Sequence, residues 1–529
     1  MTTIKSFPRK AVYLFFLGLL VRLTLAWLPE EYLLYVVYDD AYYYYSVARN
    51  LVTRGLLSAD GITQTNGFHP LWLFVITPIY ALFHSHHWFS IHLVLTVSAV
   101  FDTAAAFLIY KTVEKLGKPD LGFWATAFYL VNPYSLQHTM DGLEIAQNNF
   151  FLALLVYLSL KASPAWLKTG WLSFGAVLGL ALLSRTDNVL IVGVLLGYLS
   201  WRHRDFSSLA KSVGTATFLV LPWLVYNYLQ FGSVVQTSGT AYPWHYRQQY
   251  LGLYGSYFSF PLLTHLLKSA FFTFVQNAYH YGSWIFAVAL AGILLFQFKR
   301  SPERFRPLLW TVAASALFAA FHIFLRWSVR PWYLQSAFVL TLPIVALALE
   351  KMNRKLLAAG AFLVVCLSGA QVWSPVFYQK IKNMRRMADV INQDIPPGER
   401  VGAYNSGLWQ YLSDQKVINL DGLVNNEVLA YYKQKKGLDY LRHREIKWMV
   451  DFPLFFTRIF GPYLGAEAES SLAYVAEVPD PYNPVNSVWL LAVLPDTLRP
   501  PPGRVIPIQR EPESPAYGSV PIPFVGKRQ

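Results

Sequence analysis

Five carboxylates stand in three short polar stretches of a chain that is otherwise strongly apolar. The first stretch reads Tyr38-Asp39-Asp40-Ala41 and runs into four consecutive tyrosines, Tyr42 to Tyr45. The second runs from His138 through Asp141 to Glu144, and the third is Arg185-Thr186-Asp187. Arg326 and Arg330 bracket a fourth polar stretch, followed by Pro331-Trp332-Tyr333. Acids and arginines facing one cavity suit transfer of a sugar from a phosphate. A carboxylate takes the proton of the attacking hydroxyl. The leaving phosphate gains negative charge, which Arg, Lys or a divalent cation stabilises. One base on the acceptor side gives inversion; retention needs a second, close nucleophilic carboxylate. Asp40 or Asp39 is the candidate base, with Arg330, Arg326 or Lys268 holding phosphate. A hard cation (Mg, Mn or Ca) held by Asp40, Glu144 and His69 is an open alternative. There are plainer readings too: Asp39 and Asp40 as helix caps, and Arg185 with Asp187 as an ion pair that neutralises a helical hairpin.

The elements that must position these residues are membrane helices. The 529 residues are 54% hydrophobic and only 14% charged, against about a quarter charged in a soluble chain. The net charge of +14 sits mainly in short loops between apolar runs, a pattern that orients spans and excludes a nucleic-acid-reading face. The only cysteine, Cys366, lies in an apolar run, so an internal disulfide or a thiolate metal cluster is excluded. Candidate spans fall near residues 11–28, 88–110, 120–137, 146–161, 169–184, 188–201, 212–228, 281–298, 307–325, 331–350 and 356–373. The expected fold is thus an α-helical polytopic membrane protein of about eleven spans. Its first run is a retained anchor, because Trp27-Leu-Pro-Glu30 offers no small-residue cleavage pattern.

If Lys5, Arg9 and Lys10 are cytoplasmic, the alternation puts every strong basic cluster inside. The agreement requires that His69–Phe83 does not span. Loops 29–87 and 229–280, with everything after residue 373, then face outward. From Asp39 to Leu51 the pattern suits an interfacial helix with an aromatic face, and residues 260–279 suit a second surface helix. The expected division is a membrane domain over residues 1–373, an extracytoplasmic α/β domain over 374–495, and a Pro-rich tail over 496–529. In the α/β domain, Arg400–Tyr404 and Lys416–Leu420 read as strands and Asn426–Lys433 as a helix.

The order of the motifs Asp39-Asp-Ala-Tyr42, Thr65-Asn-Gly-Phe-His-Pro-Leu-Trp72, Gly142-Leu-Glu144, Ser184-Arg-Thr-Asp187 and Asn419-Leu-Asp-Gly-Leu423 resembles bacterial GT-C superfamily glycosyltransferases. The resemblance is greatest to branches that include the mycobacterial terminal arabinofuranosyltransferase, and more distant to aminoarabinose transferases and protein O-mannosyltransferases. It implies inverting transfer from a polyprenyl-phosphate sugar to a glycan, lipid or protein hydroxyl at the outer membrane face. The family's loop carboxylate falls on Asp39-Asp40, with Asp40 favoured, and the acid after Gly-Leu falls on Glu144. Arg185 joins Arg330 as a phosphate candidate. Tyr44, Asn66, His69 and Trp332 are the candidate sugar and acceptor contacts. The chain lacks a Gly-x-x-x-x-Gly-Lys-Ser/Thr loop and a Gly-x-Gly-x-x-Gly fingerprint, so nucleotide-powered chemistry has no support, and a lipid-linked donor supplies the sugar instead.

Arg22 and Asp102, each inside an apolar run, motivate a second function, transport of a lipid or ion with no new glycosidic bond. A binding or scaffold role for the outer domain is a third, and it predicts that Asp39 and Asp40 are dispensable.

Overall fold

A computed structural model describes residues 9–256, 259–274, 284–325, 330–372, 375–481 and 483–495, with backbone alone at 270–274, 284–291, 367–368, 370–372 and 375–378. Arg326 and the Pro-rich residues 496–529 lie outside the described residues. The chain is mostly helical, and each of the candidate spans contains a helix. Among the described residues five helices are long and apolar enough to cross a membrane alone. They are His87–Lys115, Pro164–Ser184, Phe206–Phe231, Pro302–Phe324 and Pro331–Ala348. A sixth span arises if Arg9–Ala26 and Glu30–Val36, bent by 112°, are counted together. Pro29 stands at that bend, where its missing N–H and fixed φ favour starting a new helix over continuing the old one. Pro70–Phe83 is a helix of 14 residues, shorter than a bilayer crossing of about 20.

The two intramembrane charges satisfy each other. Arg22 Nε donates to Asp102 Oδ2 at 2.5 Å, and its Nη1 donates to the carbonyls of Gly18 and Leu130. The Tyr129 hydroxyl donates to the other Asp102 oxygen. All three side chains are buried. An isolated charge would be costly at this depth, and this geometry supplies the partner that makes it tolerable.

The C-terminal unit is a five-stranded sheet in the order β2-β1-β3-β5-β4. Its strands are β1 (Arg400–Ala403), β2 (Lys416–Asn419), β3 (Ile446–Asp451), β4 (Leu472–Val478) and β5 (Val488–Val493). Strands β2, β1 and β3 run parallel, whereas β5 pairs antiparallel with both β3 and β4. β1 is the central parallel strand, and its successive residues Val401, Gly402 and Ala403 are all buried, as expected for a strand covered on both faces.

The helix Asp39–Arg54 joins the two halves and departs from expectation. Tyr42, Tyr43, Tyr44 and Tyr45 are all buried, so this is not a helix lying on a membrane surface. Pro70–Phe83 packs on one side and Gly407–Leu412 of the C-terminal unit on another. An aromatic stripe that hydropathy assigns to lipid headgroups is instead covered by protein. The helix starts at Tyr38, in extended conformation, and ends at Gly55, whose φ of 68° closes the last turn.

Candidate active site

The adjacent acids at the start of this helix have different partners. Asp39 turns to the C-terminal unit, where its two oxygens accept the amides of Gly407 at 3.2 Å and Leu408 at 2.7 Å. It therefore caps the first turn of Gly407–Leu412. Only glycine fits at 407, because a Cβ there would lie 2.1 Å from the Asp39 carbonyl oxygen. Burial pushes the Asp39 carboxyl up to about 7, with the two amides pulling the other way. Asp40 accepts no hydrogen bond from a described residue, and its carboxylate lines a large cavity. Burial also raises its pKa; Arg330 and Lys380 draw it back down, and Glu144 adds to the rise.

Glu144 immediately precedes the helix Ile145–Lys161. Gly142 makes the approach, with φ +87° and the Tyr45 hydroxyl so near that a Cβ would lie 2.0 Å from it. One Glu144 oxygen accepts from Arg185 Nη1 at 2.5 Å, and the other accepts from the Tyr44 hydroxyl at 2.9 Å. Tyr44 in turn accepts the His69 amide at 3.0 Å. Arg185 also grips Asp187 with two N–H donors, at 3.1 and 2.8 Å. Asp187 lies 3.2 Å from the His322 ring. The Arg185–Asp187 pair is real, yet its guanidinium reaches past Asp187 to hold Glu144 on the cavity wall.

Arg330 also lines the cavity. Its guanidinium lies 5.0 Å from the Tyr242 ring and 5.5 Å from that of Trp332, and its Nε donates to the Tyr242 hydroxyl. Lys380, on Pro375–Asp394, also lines the cavity, with its ammonium 4.7 Å from the Phe452 ring. The cavity holds about 1380 Å³. Its charged end is continuous with a groove lined by Leu178, Leu182, Val192, Ala216 and Val220, which belong to the helices Pro164–Ser184, Asn188–His203 and Phe206–Phe231.

Asp39, Asp40, Tyr44, His69, Glu144, Arg185, Arg330 and Trp332 thus meet at one cavity. Two other candidates do not reach it. Lys268 is exposed and absent from the cavity wall. Asn66 is fully buried, and its side-chain oxygen accepts the amide and hydroxyl of Thr237; it ties the segment before Pro70–Phe83 to Thr237–Tyr254. A metal cage on Asp40, Glu144 and His69 does not form either. Both Glu144 oxygens are occupied, one of them by a guanidinium that would repel a cation. Among the described residues no group of three or more His, Cys, Asp or Glu is placed to hold a metal ion. Sequence reasoning missed Lys380, one of several basic residues on an amphipathic helix that read as a solvated face. It also left Asp421 unassigned, although that acid lies in a quoted motif and lines the cavity. Burial raises the Asp421 pKa well above the carboxylate range.

Residues 69–226 match the family described as dolichyl-phosphate-mannose-protein mannosyltransferase. Residues 375–494 match a domain of unknown function. Comparison with curated proteins by sequence returned no match. Among solved structures, ArnT from Cupriavidus metallidurans bound to undecaprenyl phosphate is similar with a TM-score of 0.57 at 14% identity, over 94% of this chain and 100% of that one. The oligosaccharyltransferase AglB from Archaeoglobus fulgidus, in complex with an inhibitory peptide and a dolichol-phosphate, is similar with a TM-score of 0.51 at 12% identity, over 88% and 73%. An oligosaccharyltransferase from the same archaeon, tethered to an acceptor peptide, gives 0.53 at 13%, over 90% and 73%. At these identities the likeness is one of fold.

Proposed function

The chain has the GT-C glycosyltransferase fold, and on that premise we propose that it moves a sugar from a polyprenyl-phosphate donor to a hydroxyl acceptor with inversion. The observation that carries this reading is the continuity of a charged cavity with an apolar intramembrane groove. A polyprenyl tail fills the groove, and its phosphate meets the cations at the groove's mouth. The same polyprenyl-phosphate chemistry is bound in the ArnT structure.

Asp40 is the general base. It is a cavity carboxylate that accepts no hydrogen bond from the described residues, and a pKa raised by burial makes it a better proton acceptor than an ordinary aspartate. Glu144 is held by Arg185 and Tyr44 and therefore orients substrate instead of attacking it. One unencumbered carboxylate supports single displacement, hence inversion. Arg330 takes the charge that develops on the leaving phosphate. Tyr44, His69 and Trp332 contact the sugar or acceptor. The site faces outward: with the N-terminus cytoplasmic, the eleven proposed spans leave Lys111, Lys115, Lys299 and Arg300 inside. The membrane domain, the outer α/β domain and the tail divide near residues 373 and 495. The acceptor is a glycan, lipid or protein hydroxyl.

Comparison of one sugar phosphate with and without its prenyl tail tests the reading. Turnover is expected only with the tail, and Ala216→Trp, which fills the groove, should raise the KM for the donor. Equal turnover of the tailless compound would overturn the role of the groove. Movement of lipid across vesicles without a new glycosidic bond would favour transport instead.

A further inference from the structure

Lys380 has no part in the reading above, yet it reaches the same cavity as Asp40 and Arg330. It comes from a different part of the chain. Arg330 lies just before the helix Leu334–Ala348, whereas Lys380 sits on Pro375–Asp394 within the matched domain of unknown function. Each cation opposes the charge of the other, and both act on Asp40. Two cations lining one cavity repel each other, and carboxylates or a bound anion offset that repulsion. The nearby acids Asp39 and Asp451 also act on Lys380, and backbone amides hold both in place. Asp39 accepts two amides of Gly407–Leu412, and Asp451 accepts the amides of Tyr404, Asn405 and Phe452 and the Asn405 side chain, each at 2.8 Å. Asp40, Arg330 and Lys380 line the same cavity, and a donor phosphate entering beside Asp40 would meet both cations.

We propose that Lys380 is the second cation of the donor-phosphate site, so that the membrane part and the C-terminal domain each supply one of its two charges. This rests on the donor being a polyprenyl phosphate. It gives the C-terminal domain a direct role in the site: its seating, through the Asp39 cap and the Tyr43 hydroxyl that accepts from Ser406 and Asn419, is what brings the second cation to the phosphate. The transferred sugar then departs toward the hydroxyl deprotonated by Asp40. The phosphate oxygen keeps the bonding electron pair, and Arg330 and Lys380 share the charge.

Binding of undecaprenyl phosphate, without any sugar, to detergent-purified full-length protein tests the assignment, with inorganic phosphate as competitor. Lys380→Met preserves the aliphatic length over Phe452 and should weaken binding roughly 10- to 100-fold, the loss of one charge-assisted hydrogen bond. Lys380→Arg should remain within about threefold of wild type. The same Met variant should raise the donor KM more than it lowers kcat. If wild type binds and both Lys380→Met and Lys380→Gln bind equally well with unchanged melting, the assignment falls while the proposed function stands. If wild type itself binds no undecaprenyl phosphate, the proposed function fails first. Displacement by millimolar inorganic phosphate would locate recognition in the headgroup; competition only by the lipid-linked form would locate it in headgroup and tail together. Loss of binding in Lys380→Met that Lys380→Arg fails to restore, despite intact melting, would also overturn the assignment.

Discussion

Neutralising the adjacent acids one at a time separates anchoring from catalysis. Asp39 accepts two buried amides, at 3.2 and 2.7 Å. Asp39→Ala leaves both unpaired, at about 1–3 kcal/mol each, so the two halves of the protein should come apart about 2–6 kcal/mol more easily. Asp39→Asn keeps one acceptor oxygen and should lose about half of that, with turnover largely retained. Asp40 accepts nothing from the described residues, so Asp40→Asn removes a half-buried charge without orphaning a donor from among them. Its melting temperature should hold or rise. Its turnover should fall roughly 10²- to 10⁴-fold, the range for loss of a positioned general base. Thermal melting beside donor turnover reads both effects on the same preparations. If Asp39→Asn loses turnover as completely as Asp40→Asn while melting normally, the division of roles is wrong.

The Asp40 carboxyl is held above the usual value near 4, so kcat/KM should fall on the acid side as Asp40 gains its proton. Arg330 pulls that pKa down, so Arg330→Met should move the acid limb to higher pH, and an unmoved limb would separate the two residues. Asp39 is raised to about 7, which means the folded state holds its proton more tightly than the unfolded chain does. The stability this group contributes is present below pH about 4 and lost as pH rises through about 7; melting of Asp39→Asn should therefore be flatter across that window than wild type. Arg22→Met or Asp102→Leu alone should cost about 3–5 kcal/mol by stranding a buried charge. The double variant should recover much of that loss and keep turnover, whereas dead but stable double variants would favour transport. Chelation with EDTA should leave turnover unchanged, because the Glu144 oxygens are already occupied.

The motifs were legible because their chemistry is unusual for their surroundings. A charge close to membrane depth is costly, and Asp40, Glu144, Arg185 and Arg330, drawn from four separate stretches, do meet at one cavity. The strands β1 and β2 and the helix Asn426–Lys433 also stand where alternation and helical spacing put them. What escaped were the consequences of contact between distant parts. Nothing near residue 39 tells it from residue 40; the difference lies in Gly407 and Leu408, more than 360 positions away. The buried faces of Tyr42 and Tyr45 depend in the same way on Pro70–Phe83 and the C-terminal unit covering them. Lys380 was invisible because a lysine on an amphipathic helix is ordinary until a cavity is found beside it. Asn66 misled because it shares a motif with His69 but points to Thr237.

The central claim is tested most directly by offering detergent-purified protein a panel of polyprenyl-phosphate sugars with acceptor extracts, following polyprenyl phosphate release by mass spectrometry beside Asp40→Asn. The account predicts that one donor is consumed, that polyprenyl phosphate and a new glycosidic bond appear together, and that both vanish in the variant. No release from any donor, or equal release by the variant, would contradict it.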